Sequence, residues 1–438
     1  MSDSHRRIVI TGIGLISPFG NTKEALWEGL AEGRSAVGPI SLPIPPDSRA
    51  RFAGEARDFT GHINDFGPLE KDQKKAIRKG LKVMCRETQM AVAAAQLAVS
   101  DATLPPGSHD PLRTGIIFGT DYMLSLPEEF TEAISACVND QGQFEFERWG
   151  TDGLPKMSPL WLLKYLPNMP ASHLAIYNDF RGPSNSLTMR EAAGNLAVWE
   201  AYEVIRRGHA DVMLAGATGS RIHTMKLIHA MQQEELADAS LEPEQACRPF
   251  DRARTGEVLG EGAGVVVLEE AASAEKRGAT IYGEVIGGAS SAAITPQMVA
   301  NREKALANVL RMALEHVKLK PQELGHIHAH GLSTRQSDID ESRAIQAALN
   351  GAAGQVPVTT AKGNFGNLGA AGSLVELISS VLALNHGVVP RLLNYEDPDP
   401  DCPVNAVAGA DTPAGDCFVN LNVTPQGQAS AAVVRKYR

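Results

Sequence analysis

Cysteine and long apolar runs are both scarce in this 438-residue chain. The five cysteines, Cys85, Cys137, Cys247, Cys402 and Cys417, are scattered, odd in number and without metal-ligand spacing. That excludes a disulfide framework and predicts a reduced, cytoplasmic protein without a bound metal. No apolar stretch reaches the ~18 residues that a membrane span needs. An excess of positive charge is also missing, and a net charge of −10 argues against a nucleic-acid or anionic-membrane partner. Met1–Arg7 passes straight into a short strand, with no signal-peptide core. Acidic carrier proteins stay open as partners, because Arg6–Arg7, Lys71–Lys79 and Arg206–Arg207 form local basic clusters. The plainer reading of such clusters is a solvated face.

What is present is an alternation of buried strands and helices. Arg7–Gly20 reads as a strand and a Gly-rich turn, and Lys23–Glu32, Lys71–Lys82 and Arg86–Val99 read as helices. Thr114–Gly119, Ala210–Ala217 and Glu261–Glu269 read as core strands, and Ser41–Arg49 and Arg248–Gly256 as loops. Residues 122–170 read as amphipathic pieces in an insertion that lines a pocket or a subunit contact. A second half repeats the pattern, with strands at Ile281–Gly287, His326–His330 and Val356–Thr359 and helices at Arg302–Val317, Asp338–Leu349 and Ser373–Leu384. Strands at Cys417–Leu421 and Ser430–Val434 close it. The expected fold is layered α/β, built from two βαβα halves (1–270 and 271–438), with mixed, mostly parallel sheets and a site where the halves meet.

The central stretch is Arg181–Asn195, a strand entry and tight turn that deliver Glu191 to the start of a helix running from Ala192 to about Arg207. A helix start gathers unpaired N–H groups and partial positive charge, a good place for an anion or a reacting carbonyl.

Ordered blocks along nearly the whole chain carry a resemblance: Val9-Ile-Thr-Gly-Ile-Gly, Arg181-Gly-Pro-Ser, Ala210-Asp-Val-Met-Leu-Ala-Gly, Arg248-Pro-Phe-Asp, Gly260-Glu-Gly-Ala-Gly, Ala329-His-Gly-Leu-Ser-Thr and Gly369-Ala-Ala-Gly. Together they resemble the elongating β-ketoacyl-acyl-carrier-protein synthases, acyltransferases of the thiolase fold. The resemblance implies a layered α-β-α-β-α architecture, no cofactor, and chemistry by a helix-start cysteine, two histidines, a supporting lysine with acidic residues, and two backbone N–H groups as oxyanion hole.

Carried over position by position, the resemblance puts Glu191 where the family has its cysteine and His330 at the first histidine. Asn367 falls at the second histidine, in a block one residue short. Lys362 matches the lysine, and Asp338, Glu341 and Glu376 match the acidic positions. In Thr424–Ala429, Pro425 takes the position whose N–H completes the oxyanion hole, and proline has no N–H. Losing one such donor is worth ~100–1,000-fold in comparable sites.

Ordinary condensation is therefore not expected. Three roles fit the resemblance: a chain-length-factor-like partner of a cysteine-bearing ketosynthase, a decarboxylase of malonyl-carrier protein that supplies starter units, or a homodimeric scaffold for acyl chains or carrier protein. An ionised Glu191 disfavours decarboxylation by repelling malonate, and nearby His330 or Lys362 is expected to promote that ionisation. The plainer reading of Glu191 is an anion capping a helix start, paired with Arg190. His326, His328 and His330 share a strand face, which is a metal pattern only if further ligands converge there.

Overall fold

The computed structural model describes residues 6–45, 48–104 and 107–438. Of the Ser41–Arg49 loop, Pro46 and Asp47 lie outside the described residues, as do Met1–His5 of the N-terminus. The strands used below are β1 (Ile8–Ile16), β2 (Thr114–Thr120), β3 (Ser184–Thr188), β4 (Val212–Ser220), β5 (Leu259–Glu270), β6 (Gly283–Ala292), β7 (His326–His328), β8 (Val358–Thr359), β9 (Cys417–Val423) and β10 (Gln428–Arg435). Their order across the sheet is β8-β7-β9-β10-β6-β1-β5-β4-β2-β3. Each half thus runs third, second, fourth, fifth, first by its own strand count. The same order twice is the duplication that the alternating pattern predicts.

Polarity follows from the connections. Strands joined through helices pair in parallel, as in β2 with β3 and β4 and in β7 with β8 and β9. The pairings through the middle, β4–β5, β5–β1, β1–β6, β6–β10 and β10–β9, are antiparallel. Along this path the sheet is therefore mixed, with parallel pairing in the outer part of each half; off the path, the short strand Phe52–Gly54 also pairs parallel with β5.

The helices that matter are α1 (Lys71–Gly80), α2 (Arg86–Asp101), α3 (Ala193–Arg206), α4 (Thr224–Gln233), α5 (Arg302–Val317), α6 (Arg335–Leu349) and α7 (Gly372–His386). α2 covers the first half-sheet, and α5 covers the second with α6 packed on it. α3 and α7 lie between the halves and touch both, giving five layers. The sequence of α7 accounts for its place: Gly372 through Leu384 are all buried, as expected of a helix that is apolar or small all round. Gly194 permits the close α3–α7 approach, because a Cβ there would meet Leu374 and Ser373 side chains at 2.2 Å. α4 was not expected from the sequence. Its buried face carries Lys226, whose ammonium pairs with Glu87 at 3.0 Å and donates to the Ser220 carbonyl. A buried cation breaks the apolar stripe that would otherwise announce a helix.

Candidate functional site

α3 begins at Ala193, one residue later than the sequence suggests. Arg190–Ala192 forms a tight turn of its own, and Arg190 adopts φ +48, a left-handed conformation uncommon for a non-glycine residue. Such a residue costs ~1–3 kcal/mol unless its surroundings hold it. Here they do. Arg190 Nη2 donates to Glu234 at 3.0 Å and to Glu191 Oε1 at 3.3 Å.

Glu191 is 3% exposed, and its Oε2 has no hydrogen-bond partner among the described residues. The expectation of His330 or Lys362 beside it is not met: no hydrogen bond or ion pair joins Glu191 to either, and its charge partner is Arg190. Beyond Arg190 lies a buried lattice. Arg221 Nη1 donates to Glu257 at 2.8 Å and its Nη2 donates to Glu234. Asn367 Nδ2 donates to Glu257 at 2.8 Å and reaches Glu191 at 3.5 Å, while its Oδ1 accepts from Gly369 N–H. Two guanidinium groups thus meet three carboxyl groups, and one proton balances the formal count. Burial pushes Glu257 up, assisted by Glu234, so the proton belongs on Glu257. Glu234 is half-buried, and Arg221 and Arg190 hold it below the ordinary carboxylate range.

His330 lies two residues past the end of β7, where α6 fixes its backbone. Glu341 accepts the N–H groups of His330 and Gly331, each at 2.7 Å. Asp338, one turn earlier on α6, accepts from Phe250 and Ser333 N–H groups. It therefore braces the Arg248–Gly256 loop rather than the imidazole. Lys362 Nζ directs its three hydrogens to Glu376 (2.5 Å), the His330 carbonyl (2.7 Å) and His330 Nδ1 (3.3 Å). Asn422 Nδ2 also donates to Nδ1 at 3.3 Å and to Glu376 at 2.7 Å. With two donors facing Nδ1, the imidazole accepts there and carries its hydrogen on Nε2. Burial, with Lys362 adding to it, holds His330 well below the usual histidine range, so the ring is neutral.

The sequence gives little hint of Asn422 or Asn195. Asn195, one turn into α3 from Glu191, donates to Asn422 Oδ1 at 2.9 Å and so ties the Glu191 helix to His330. Arg221, Glu234 and Glu257 were equally unforeseen, being single charges contributed from separate elements.

A cavity of about 210 Å³ is lined by His330, Pro425, Arg302, Thr334, Glu234 and Glu257, among others. Glu191 and Asn367 are not among its lining residues; Glu257 occupies the wall in front of Asn367. Pro425 sits in the β9–β10 hairpin loop, which is closed by Gly427 N–H to Thr424 O at 3.0 Å with Gly427 at φ +81. Proline's fixed φ suits the second position of such a turn.

The other two histidines of the triplet are part of the frame. Ala361 N–H donates to His328 Nε2, His328 Nδ1 lies 2.8 Å from Ser380 Oγ, Ser380 lies 3.0 Å from His326 Nε2, and His326 Nδ1 lies 2.9 Å from the Ala414 carbonyl. One direction of donation satisfies the whole run, with both rings neutral. Among the described residues no group of three or more His, Cys, Asp or Glu is placed to hold a metal. None of the five cysteines, all buried, bonds to His330, and burial pushes Cys85, Cys247 and Cys402 up to about 12.

These burials set a pH dependence. Burial raises Asp338 and Glu341 to about 7 from the ordinary 3.8 and 4.5. The folded chain then holds protons that the unfolded chain releases, and this contribution is lost as pH rises through 7. Below about pH 6.5 three buried neutral histidines oppose the trend, because the unfolded chain takes up their protons. The expected result is a thermal midpoint that falls between about pH 6.5 and 8.5, by about 1 kcal/mol for each of these two carboxyls and further as Glu257, raised to about 8, gives up its proton, with a shallower slope in Asp338→Asn. Calorimetric scans across that range check it.

Comparison with known proteins bears on the whole chain. The family model "Beta-ketoacyl synthase, N-terminal domain" matches residues 5–274 and "Beta-ketoacyl synthase, C-terminal domain" matches residues 282–396. The chain is 33% identical over 408 residues to 3-oxoacyl-[acyl-carrier-protein] synthase 2 of Synechocystis sp., covering 92% of this chain and 91% of that one. It is 35% identical over 408 residues to the tetracenomycin polyketide synthase ketoacyl synthase alpha subunit of Streptomyces glaucescens, again over 92% and 91%. Among solved structures, a type II polyketide synthase acyl-carrier protein in complex with its ketosynthase bound to the hexaketide gives a TM-score of 0.84 at 25% identity, covering 99% of this chain and 100% of that one. The ishigamide ketosynthase/chain length factor gives 0.82 at 27% identity with the same coverage. Among the described residues no helix is long and apolar enough to cross a membrane.

Proposed function

We propose, from the premise that this chain belongs to the β-ketoacyl synthase family, that it is a non-condensing member acting as the chain-length-factor-like partner of a cysteine-bearing ketosynthase in type II fatty-acid or polyketide assembly. The observation that carries the reading is the lattice around Glu191. At the position that the family gives to its nucleophile stands a carboxyl, ion-paired to Arg190 and absent from the His330 cavity wall. A carboxylate cannot hold an acyl chain as a thioester. Pro425 lines the same cavity and offers no N–H to a developing oxyanion.

Two surfaces support the partner role. β3 is the outermost strand of its half-sheet, and Ser184, Asn185 and Thr188 are exposed on it. An open edge of this kind is a template for a matching strand of a second chain. The 122–170 insertion leaves Phe146, Leu154, Leu160 and Leu162 at least half exposed, more apolar surface than one segment of a monomer ordinarily shows. For an acidic carrier protein, α1 offers Lys71, Lys75, Arg78 and Lys79 on an exposed basic face.

Co-expression with a cysteine-bearing ketosynthase tests the reading: the two chains co-purify as a heterodimer. A stable homodimer that ignores such a partner would support the scaffold role instead. Decarboxylation of malonyl-carrier protein has one observation in its favour, the Nε2–H that the Nδ1 contacts leave on His330, with His330 itself lining the cavity. Against it, the Asn367 amide is committed to Glu257. Mass spectrometry of malonyl-carrier protein incubated with the wild type is expected to show no acetyl product. Glu191→Gln is expected to raise acetyl release if this activity is latent, and no release from either form retires it.

A further inference from the structure

α6 is a 15-residue helix whose start is left open, with Thr334 at its N-cap making no capping hydrogen bond through its side chain. The N–H of Arg335 donates to Glu235 at 3.1 Å, and that of Asp338 donates to the Thr334 carbonyl. The two N–H groups between them, on Gln336 and Ser337, have no acceptor among the described residues. Both residues line the His330 cavity. Orphan N–H groups at a helix start attract an anion but do not by themselves make a site. The second observation is His330. Its residue is 1% exposed, its hydrogen is on Nε2 because two donors face Nδ1, and Nε2 has no partner among the described residues. Unlike Glu191 Oε2, which is enclosed, His330 Nε2 is open to the cavity. The Thr334 and Ser337 hydroxyls on the same wall are likewise unbonded and not enclosed. Arg302 directs Nε and Nη2 to Asp340, at 3.1 and 3.0 Å, which leaves Nη1 free. The cavity thus collects unspent donors, while its carboxyls are already engaged: Glu234 by Arg190 and Arg221, Glu257 by Arg221, and Glu235 by Arg335.

We propose that the His330 cavity binds a short-chain monocarboxylic acid as its anion, with the carboxylate at the α6 start and the chain against Leu332, Val423 and Pro425. The carboxylate answers the orphan N–H groups, His330 Nε2–H and Arg302 Nη1, and charge-assisted hydrogen bonds of this kind are the strong ones. The chain answers the three apolar residues of the same wall. A single charge is preferred to a dianion, because Glu234 and Glu235 stand in that wall. Free acids of this class are what hydrolysis of an acyl thioester releases, so the ligand is a product rather than a loaded acyl chain. The inference goes beyond the partner role and does not depend on it: heterodimer formation reads the one, ligand binding to this chain alone reads the other.

Butyrate is the probe, titrated by calorimetry against the full chain, with butyramide as the neutral isostere and inorganic phosphate as the dianion. The expected result is saturable binding of butyrate with a Kd of about 0.5–10 mM, and at least about tenfold weaker binding of butyramide and of phosphate. Arg302→Gln keeps a donor toward Asp340 and weakens butyrate by about tenfold or more. Ser337→Asp, in the first turn of α6, sets a carboxylate on the free N–H groups, where a helix start favours one. It abolishes butyrate binding with the thermal midpoint held. No saturation by about 20 mM butyrate, equal affinity for butyramide, or unchanged affinity in either folded variant overturns the proposal. Phosphate binding as tightly as butyrate overturns the assignment to a monocarboxylic acid.

Discussion

Arg221→Met is expected to lower the free energy of unfolding by about 3–5 kcal/mol, the scale on which breaking a buried ion pair from one side destabilises a fold. The Arg221 side chain is 8% exposed and pairs with both Glu234 and Glu257. Methionine keeps most of its volume and removes both contacts, leaving two carboxyls with Arg190 as their nearest remaining cation. The loss belongs to the Glu234 charge left with one partner and to the unpaired Glu257 carboxyl rather than to packing. Adding Glu234→Gln and Glu257→Gln to Arg221→Met should therefore recover most of the stability in urea denaturation, despite two further substitutions. A loss below about 1 kcal/mol for the single variant would mean that water already screens the lattice.

The second large effect concerns chemistry. Glu191→Cys alone is expected to leave the chain without measurable acylation. On the proposed reading the thiol would lie off the His330 cavity wall and face a hole short of one donor. Pro425→Phe supplies that donor. Residue 425 follows Thr424 in the hairpin turn, whose own hydrogen bonds use the N–H groups of Thr424 and Gly427 and not that of residue 425. Any L-residue tolerates the φ that proline fixes, so the turn survives. In the Glu191→Cys background, Pro425→Phe is expected to raise the acylation rate by about 100–1,000-fold, read by intact-protein mass against time with an acyl-carrier donor. Rapid acylation of Glu191→Cys with Pro425 in place would show that a proline-bearing loop is no obstacle.

What the sequence makes legible tracks how local each signal is. His330, Lys362 and Glu376 belong to short contiguous motifs, and the structure brings the three together within hydrogen-bonding distance. The repeat was visible because strand and helix periods alternate twice, whereas the five layers were implied only by the family resemblance. Glu191 was legible as a position but not as an environment: its partner Arg190 is adjacent in sequence, whereas Glu234, Arg221 and Glu257 arrive from three other elements. No periodicity marks a residue whose role depends on a long-range ion pair. Asn195 and Asn422 escaped for the same reason, since a single amide inside a strand or helix reads as a tolerated polar residue until its partners are placed. The direction of pairing in the middle of the sheet was set by connections, such as the Thr424–Gly427 turn, that hydrophobic patterning does not encode.

The account turns on where an acyl group can reside. This chain and a cysteine-bearing ketosynthase partner should be co-purified, incubated with isotopically labelled acyl-carrier protein, and weighed as separate intact chains. The account predicts one acyl adduct on the partner and none on this chain, with the label on the partner resistant to removal by any substitution at Glu191. A labelled adduct on this chain, at Glu191 or at any of its five cysteines, would contradict it.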